Sequence, residues 1–158
     1  LKKFNNISDN EIVNPYFDDC PVKRIQDLPR KIDKNLELVL TIVQELRNYM
    51  KIPFHITSTW RPKSRGSAHK KGKAIDFQLF KKEYDNALHN KVMSYFKKNP
   101  QKKRRVFLER KKYGMWIHID YNFKKENLFI GYSQNNKMIY ETYKGITPLE
   151  KIVSLNKK

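Results

Sequence analysis

The sequence predicts an α+β fold, an antiparallel sheet with flanking helices. Three observations predict it. One long segment repeats its apolar residues at helical spacing. Short alternating segments bounded by turn residues read as strands. The order helix, strands, helix, strands, without repeats or linkers, suits segregated helices on an antiparallel sheet.

Residues 1–26 mix polar and aromatic side chains with no clean period and read as an extended N-terminal arm packing on the domain. Residues 27–158 read as a single domain. Leu28, Ile32, Leu36, Val39, Val43, Leu46 and Met50 recur in steps of three and four, which predicts an amphipathic helix with Asp27 as its cap and Pro29 in its first turn. Pro53 ends it, and 54–59 reads as a strand. A loop rich in Pro, Ser, Gly and Lys leads to a second strand over 74–79. A second helix is expected over 84–98, stopped by Asn99-Pro100, followed by strands over 105–109 and 115–121. Strands at 128–132 and 137–143 form a hairpin around Gln134-Asn135-Asn136. Thr147 caps a short terminal helix.

The chain has 158 residues and a net charge of +18. That length suits one domain with a core of its own. One cysteine excludes an internal disulfide framework, and 39% hydrophobic with 13% aromatic residues excludes a disordered basic tail. No apolar run approaches the roughly 20 residues of a membrane span, and no signal-peptide apolar region is visible at the start. The charge calls for an anionic partner: nucleic acid, acidic wall polymer or membrane surface. Basic runs at 97–98, 102–105, 110–112 and 124–125 carry no helix-turn-helix, zinc-finger or RNP pattern, so no specific nucleic-acid partner is expected.

The chemistry concentrates in two stretches. Ser58-Thr59-Trp60-Arg61-Pro62 precedes Ser67-Ala68-His69-Lys70-Lys71-Gly72-Lys73-Ala74-Ile75-Asp76-Phe77, and Trp116-Ile117-His118-Ile119-Asp120 answers about forty residues later. Strand alternation puts Ile75, Phe77 and Leu79 on one face and Ala74, Asp76 and Gln78 on the other. It likewise separates Met115, Ile117 and Ile119 from Trp116, His118 and Asp120. If the two strands are neighbours, Asp76, His118 and Asp120 converge, with His69 entering from the loop and Gly72 turning the chain back onto the strand. A carboxylate within a strand is costly without a cation or hydrogen bonds. Two imidazoles and a carboxylate fit one zinc ion, leaving a fourth position for a water made acidic by the metal.

These residues resemble the zinc D-Ala-D-Ala carboxypeptidase and murein endopeptidase family, which shares its metal-site fold with lysostaphin-type peptidases and the hedgehog signalling domain. The resemblance rests on Ser67-x-His69-x-x-Gly72-x-Ala74-x-Asp76 and Trp116-Ile117-His118-Ile119-Asp120, with Ser58-Thr59-Trp60-Arg61-Pro62 similar to a Ser-Gly-Tyr-Arg segment. It covers residues 54–121.

The resemblance implies a zinc peptidase fold with one zinc ion on His69, Asp76 and His118, acting on peptidoglycan stem peptides. Arg61, Ser67 and Trp116 are the expected substrate-binding residues, Arg61 also polarising the scissile carbonyl. Many members carry a general-base Glu three residues before the final His, where this chain has Met115. Asp120 is the first candidate to take a proton or orient His118, and Glu109 on the preceding strand is the second, beside an ordinary ion-pair role. His55 and His89 are expected to be non-catalytic. By analogy the chain would be a phage lysin or virion-associated wall hydrolase, extracellular in action and drawn by charge to anionic wall polymers. The alternative is a virion module that keeps the zinc fold without turnover.

Overall fold

The computed structural model describes residues 1–51, 54–64, 67–78, 85–99, 105–111, 114–121 and 127–156. The arm is more ordered than its sequence pattern suggests. It carries a short helix, α1 (Asp9–Val13), closed by a capping box in which the Ser8 hydroxyl accepts from the Glu11 backbone and the Glu11 carboxylate accepts from Ser8. Ile12 and Val13 are buried. Arg47 of the following long helix binds Glu11 and sits over the Phe54 ring, fastening the arm to the domain.

That long helix, α2, runs Arg30–Met50 and buries Leu36, Val39, Leu40, Ile42, Val43, Leu46 and Met50. It begins later than the sequence suggests. A 3₁₀ turn (Ile25–Asp27) precedes it, and Asp27 pairs with Arg24 instead of capping, which leaves Pro29 at the helix start. Lys51 closes the helix in the left-handed region.

Six strands follow, β1 (His55–Ser58), β2 (Ala74–Gln78), β3 (Arg105–Lys111), β4 (Gly114–Asp120), β5 (Asn127–Gln134) and β6 (Lys137–Thr142). They form one open sheet in the order β1-β2-β4-β3-β5-β6. All neighbours are antiparallel except β3 and β5, which run parallel, so the expected antiparallel sheet is mostly antiparallel with one parallel pair. The reason is topological. Asp120 and Asn127 flank Arg105 from opposite sides, so β4 and β5 pair with the two different edges of β3. The β5–β6 turn is as expected: Asn135 and Asn136 both take positive φ, the two-residue hairpin geometry matching strand twist.

Helix α3 (Asp85–Lys98) and helix α4 (Pro148–Asn156) complete the fold. Thr147 caps α4 as expected, its hydroxyl accepting from the Glu150 backbone. The helices cover one sheet face, where Ile75, Phe77, Val106, Leu108, Ile117 and Ile119 are fully buried. Alternation therefore turns Asp76, Arg105, Phe107, Trp116, His118 and Asp120 to the other face. Among the described residues, no helix is long and apolar enough to cross a membrane.

Candidate metal centre

β2 and β4 are direct neighbours, and their register places Asp76 opposite His118 and Ala74 opposite Asp120. His69 arrives from a 3₁₀ turn, η (Ala68–Lys71), between β1 and β2. Ser67 caps that turn, its hydroxyl accepting from the His69 backbone 3.1 Å away. Gly72 ends it at φ 67°, with its N–H directed to the Ala68 and His69 carbonyls. A Cβ there would stand 2.9 Å from Ile32 Cγ2, so both the conformation and the close approach to α2 require glycine. Trp60 Nε1 donates to the Lys70 carbonyl, and Arg61 N to the His69 carbonyl, closing the loop.

His69, Asp76 and His118 form a group that could hold a metal ion, with one ligand atom from each lying within 4.8 Å of the others. The tautomers agree with that use. His69 Nδ1 donates to the Thr59 carbonyl at 2.6 Å, which leaves Nε2 as the ring nitrogen turned toward Asp76 and able to ligate. This nitrogen is buried with no hydrogen-bond partner, 3.1 Å from Asp76 Oδ2. A buried ring nitrogen and a carboxylate oxygen at that distance require a proton or a metal ion between them. His118 Nδ1 lies 2.8 Å from Asp76 Oδ1 on the same side.

Behind His118 stands Asp120. His118 Nε2 lies 2.9 Å from Asp120 Oδ2, and Arg105 grips the same carboxylate through Nε and Nη2 at 2.7–3.1 Å. Asp120 is fully buried, on the opposite side of the imidazole from Asp76. Of the two roles expected for Asp120, the geometry supports orienting His118. Arg105 went unrecognised because it closes a basic run that reads as solvated surface. Phe107, opposite His118 on β3, sets its ring edge-on to the imidazole at 5.6 Å and stacks on Phe129 at 4.8 Å.

The charges are tightly coupled. Burial works against an ionised Asp76, yet the two imidazoles outweigh it and hold its carboxyl far below the usual range. Burial also opposes a charged His118, but Asp76 and Asp120 outweigh it and push the imidazole up to about 9 in the metal-free protein. Asp120 is likewise lowered, with His118 and Arg105 overcoming burial.

The other expected residues divide. Arg61 comes close to the centre, its Nη2 lying 3.8 Å from Asp76 Oδ2. Ser67 serves as the cap of the turn. Trp116 lies on the same sheet face, with the arm residue Phe17 at 6.5 Å between ring centroids. Glu109 pairs with Trp116 across β3 and β4, so it shares that face diagonally from His118. Met115 occupies the β4 position opposite Arg110. His55 is exposed at the start of β1, and His89 is buried in α3, apart from the triad. Residues 102–104, 112–113 and 124–125 of the basic runs lie outside the described residues, while Arg105 is committed to Asp120.

No protein-family profile, curated protein or solved structure matches this chain.

Proposed function

We propose that this chain hydrolyses a peptide bond in peptidoglycan, with one zinc ion held by His69, Asp76 and His118. The observation that carries the reading is the unpartnered, buried Nε2 of His69 facing Asp76 beside His118. Two imidazoles and one carboxylate are the donor set of an open catalytic zinc site. When bound, zinc supplies a Lewis acid and acidifies a water in contact with it. Zinc, the hedgehog/D-Ala-D-Ala-peptidase-like fold and the peptidoglycan substrate come from the resemblance over residues 54–121. The α+β sheet and the convergent ligands support it.

In this reading Thr59 and Asp120 lock the two imidazoles in their ligating tautomers. Arg61 presents a planar cation to a carboxylate of the stem peptide or to the scissile carbonyl. Glu109 is the proton-accepting carboxylate, since Asp120 is occupied by His118 and Arg105. Trp116 lines the substrate side of the sheet. The +18 charge draws the protein to anionic wall polymers, as suits a phage lysin or virion-associated hydrolase acting outside the cell.

The test joins metal analysis to mass spectrometry of muropeptides before and after digestion. One zinc per chain and new peptide termini are expected, both lost in His118→Ala. Stoichiometric zinc without new termini would overturn hydrolysis and leave a metal-holding virion module.

A further inference from the structure

The arm reaches the metal triad through a side chain that the functional reading does not use. Asn14 ends α1, and a turn follows in which Asp18 N donates to the Pro15 carbonyl. Tyr16 N and Phe17 N donate to the Ile56 and Thr57 carbonyls, fixing the arm along β1. Asp18 then takes a left-handed conformation, φ 51°, which redirects the chain and delivers Asp19 inward.

β1 prepares for it. Its register slips between Ile56 and Ser58, which pair with Phe77 and Asp76, two successive residues of β2. This bulge re-aims Ser58 to the face of the sheet that carries Asp76. Ser58 Oγ donates to Asp19 Oδ2 at 2.6 Å. The same oxygen stands 3.7 Å from Arg61 Nε, while Arg61 Nη2 stands 3.8 Å from Asp76 Oδ2.

Arg61 therefore lies between two carboxylates, one from the arm and one from the metal triad. Arg61 Nε and Asp19 Oδ1 are each buried without a hydrogen-bond partner. An open cleft of about 500 Å³, lined by residues 18–21 and 61–64, adjoins the pair.

We propose that Asp19 is a positioning residue for Arg61, and that the N-terminal arm is part of the site. The inference rests on the peptidase reading for the purpose of Arg61. Asp19, held by Ser58, fixes the Nε edge of the guanidinium. The Nη edge is then presented toward the metal triad, where a substrate carboxylate or carbonyl would meet it. A guanidinium on a flexible stem loses much of its value without such an anchor, because its rotamer entropy must be lost at each binding event.

The test is a double-mutant cycle of Asp19→Ala, Arg61→Ala and the pair, assayed on purified muropeptides. Zinc content and the thermal midpoint are measured alongside. Asp19→Ala is expected to lower kcat/KM about 10- to 100-fold with zinc content unchanged, and Asp19→Glu to recover part of it. The double variant should lose no more than Arg61→Ala alone. Independent, multiplying losses, or an Asp19→Ala protein within twofold of the parent, would overturn the proposal.

A second readout needs no turnover. The Arg61 Nε–H resonance, assigned by its loss in Arg61→Ala, should exchange slowly with water in the parent and rapidly in Asp19→Ala. Unchanged exchange sinks the positioning role. A parent that cleaves no muropeptide sinks the peptidase reading instead, and the exchange measurement still decides the contact.

Discussion

His118 is held between Asp76 and Asp120, with Nδ1 2.8 Å from the first and Nε2 2.9 Å from the second. One carboxylate shares the metal-facing side, and the other fixes the ring from behind with Arg105 as its own anchor. Removing the anchor frees the ring without removing a ligand. Asp120→Ala is therefore expected to weaken zinc about 10- to 100-fold, by competition with a chromophoric chelator. Asp120→Asn retains an acceptor for Nε2–H and should lose less. Undiminished zinc affinity in Asp120→Ala with turnover abolished would instead identify Asp120 as the base.

The same arrangement makes metal binding a proton-releasing event. In the metal-free protein His118 titrates at about 9, so it is an imidazolium at neutral pH. A ligand nitrogen must be deprotonated, so below that value each ion taken up displaces a proton from His118. Affinity should rise with pH and lose this dependence above about 9. Calorimetry in buffers of different ionisation enthalpy should show about one proton released from this group near neutral pH, and less in His118→Asn. Uptake without proton release would contradict the charged pair.

The alternation of β2 and β4 was legible because each strand has one apolar face for the helices, and ligands can occupy only the other. Asn135-Asn136 and Gly72 were legible because their backbone angles suit few residues. What escaped depends on partners distant in sequence. The arm looked extended because a five-residue helix is too short to show a period, although Ser8 and Glu11 carry its capping signature. The parallel β3–β5 pair depends on where a crossing strand docks, which no local pattern encodes. The bulge between Ile56 and Ser58 inverts the facing of Ser58, so simple alternation could not have placed it beside Asp19. Arg105 looks like any member of a basic run until Asp120 is found across the strand.

Gly72 couples the fold to the site. Alanine there meets a left-handed backbone, the Ile32 side chain at 2.9 Å and the Ile32 carbonyl at 3.2 Å. The conformation alone costs roughly 1–2 kcal/mol. Gly145, at φ 93°, has nothing within 4 Å of the same added atom, so Gly145→Ala carries strain without crowding. Gly72→Ala should lower the urea midpoint more than Gly145→Ala, and should also weaken zinc because the turn bearing His69 must shift. Equal midpoints would show that α2 yields freely at Ile32.

His89 sets an acid limit on the fold. It is fully buried in α3, and burial first, then the nearby Arg110 charge, push its imidazole down to about 3, outweighing a contact with the Trp116 backbone. The unfolded chain takes up this proton below about 6.5, and the fold refuses it until about 3. The unfolded state therefore binds more protons throughout that window, and stability falls as pH falls. At full extent the loss is on the order of 4–5 kcal/mol, from about 1.4 kcal/mol for each tenfold difference in proton affinity between the two states. Other groups titrate there too, so the diagnostic is a difference between two proteins. In urea titrations from pH 7 to pH 4, His89→Leu should lose clearly less stability than the parent. Parallel profiles would mean that His89 is protonated in the folded chain and that a buried cation is tolerated against Arg110.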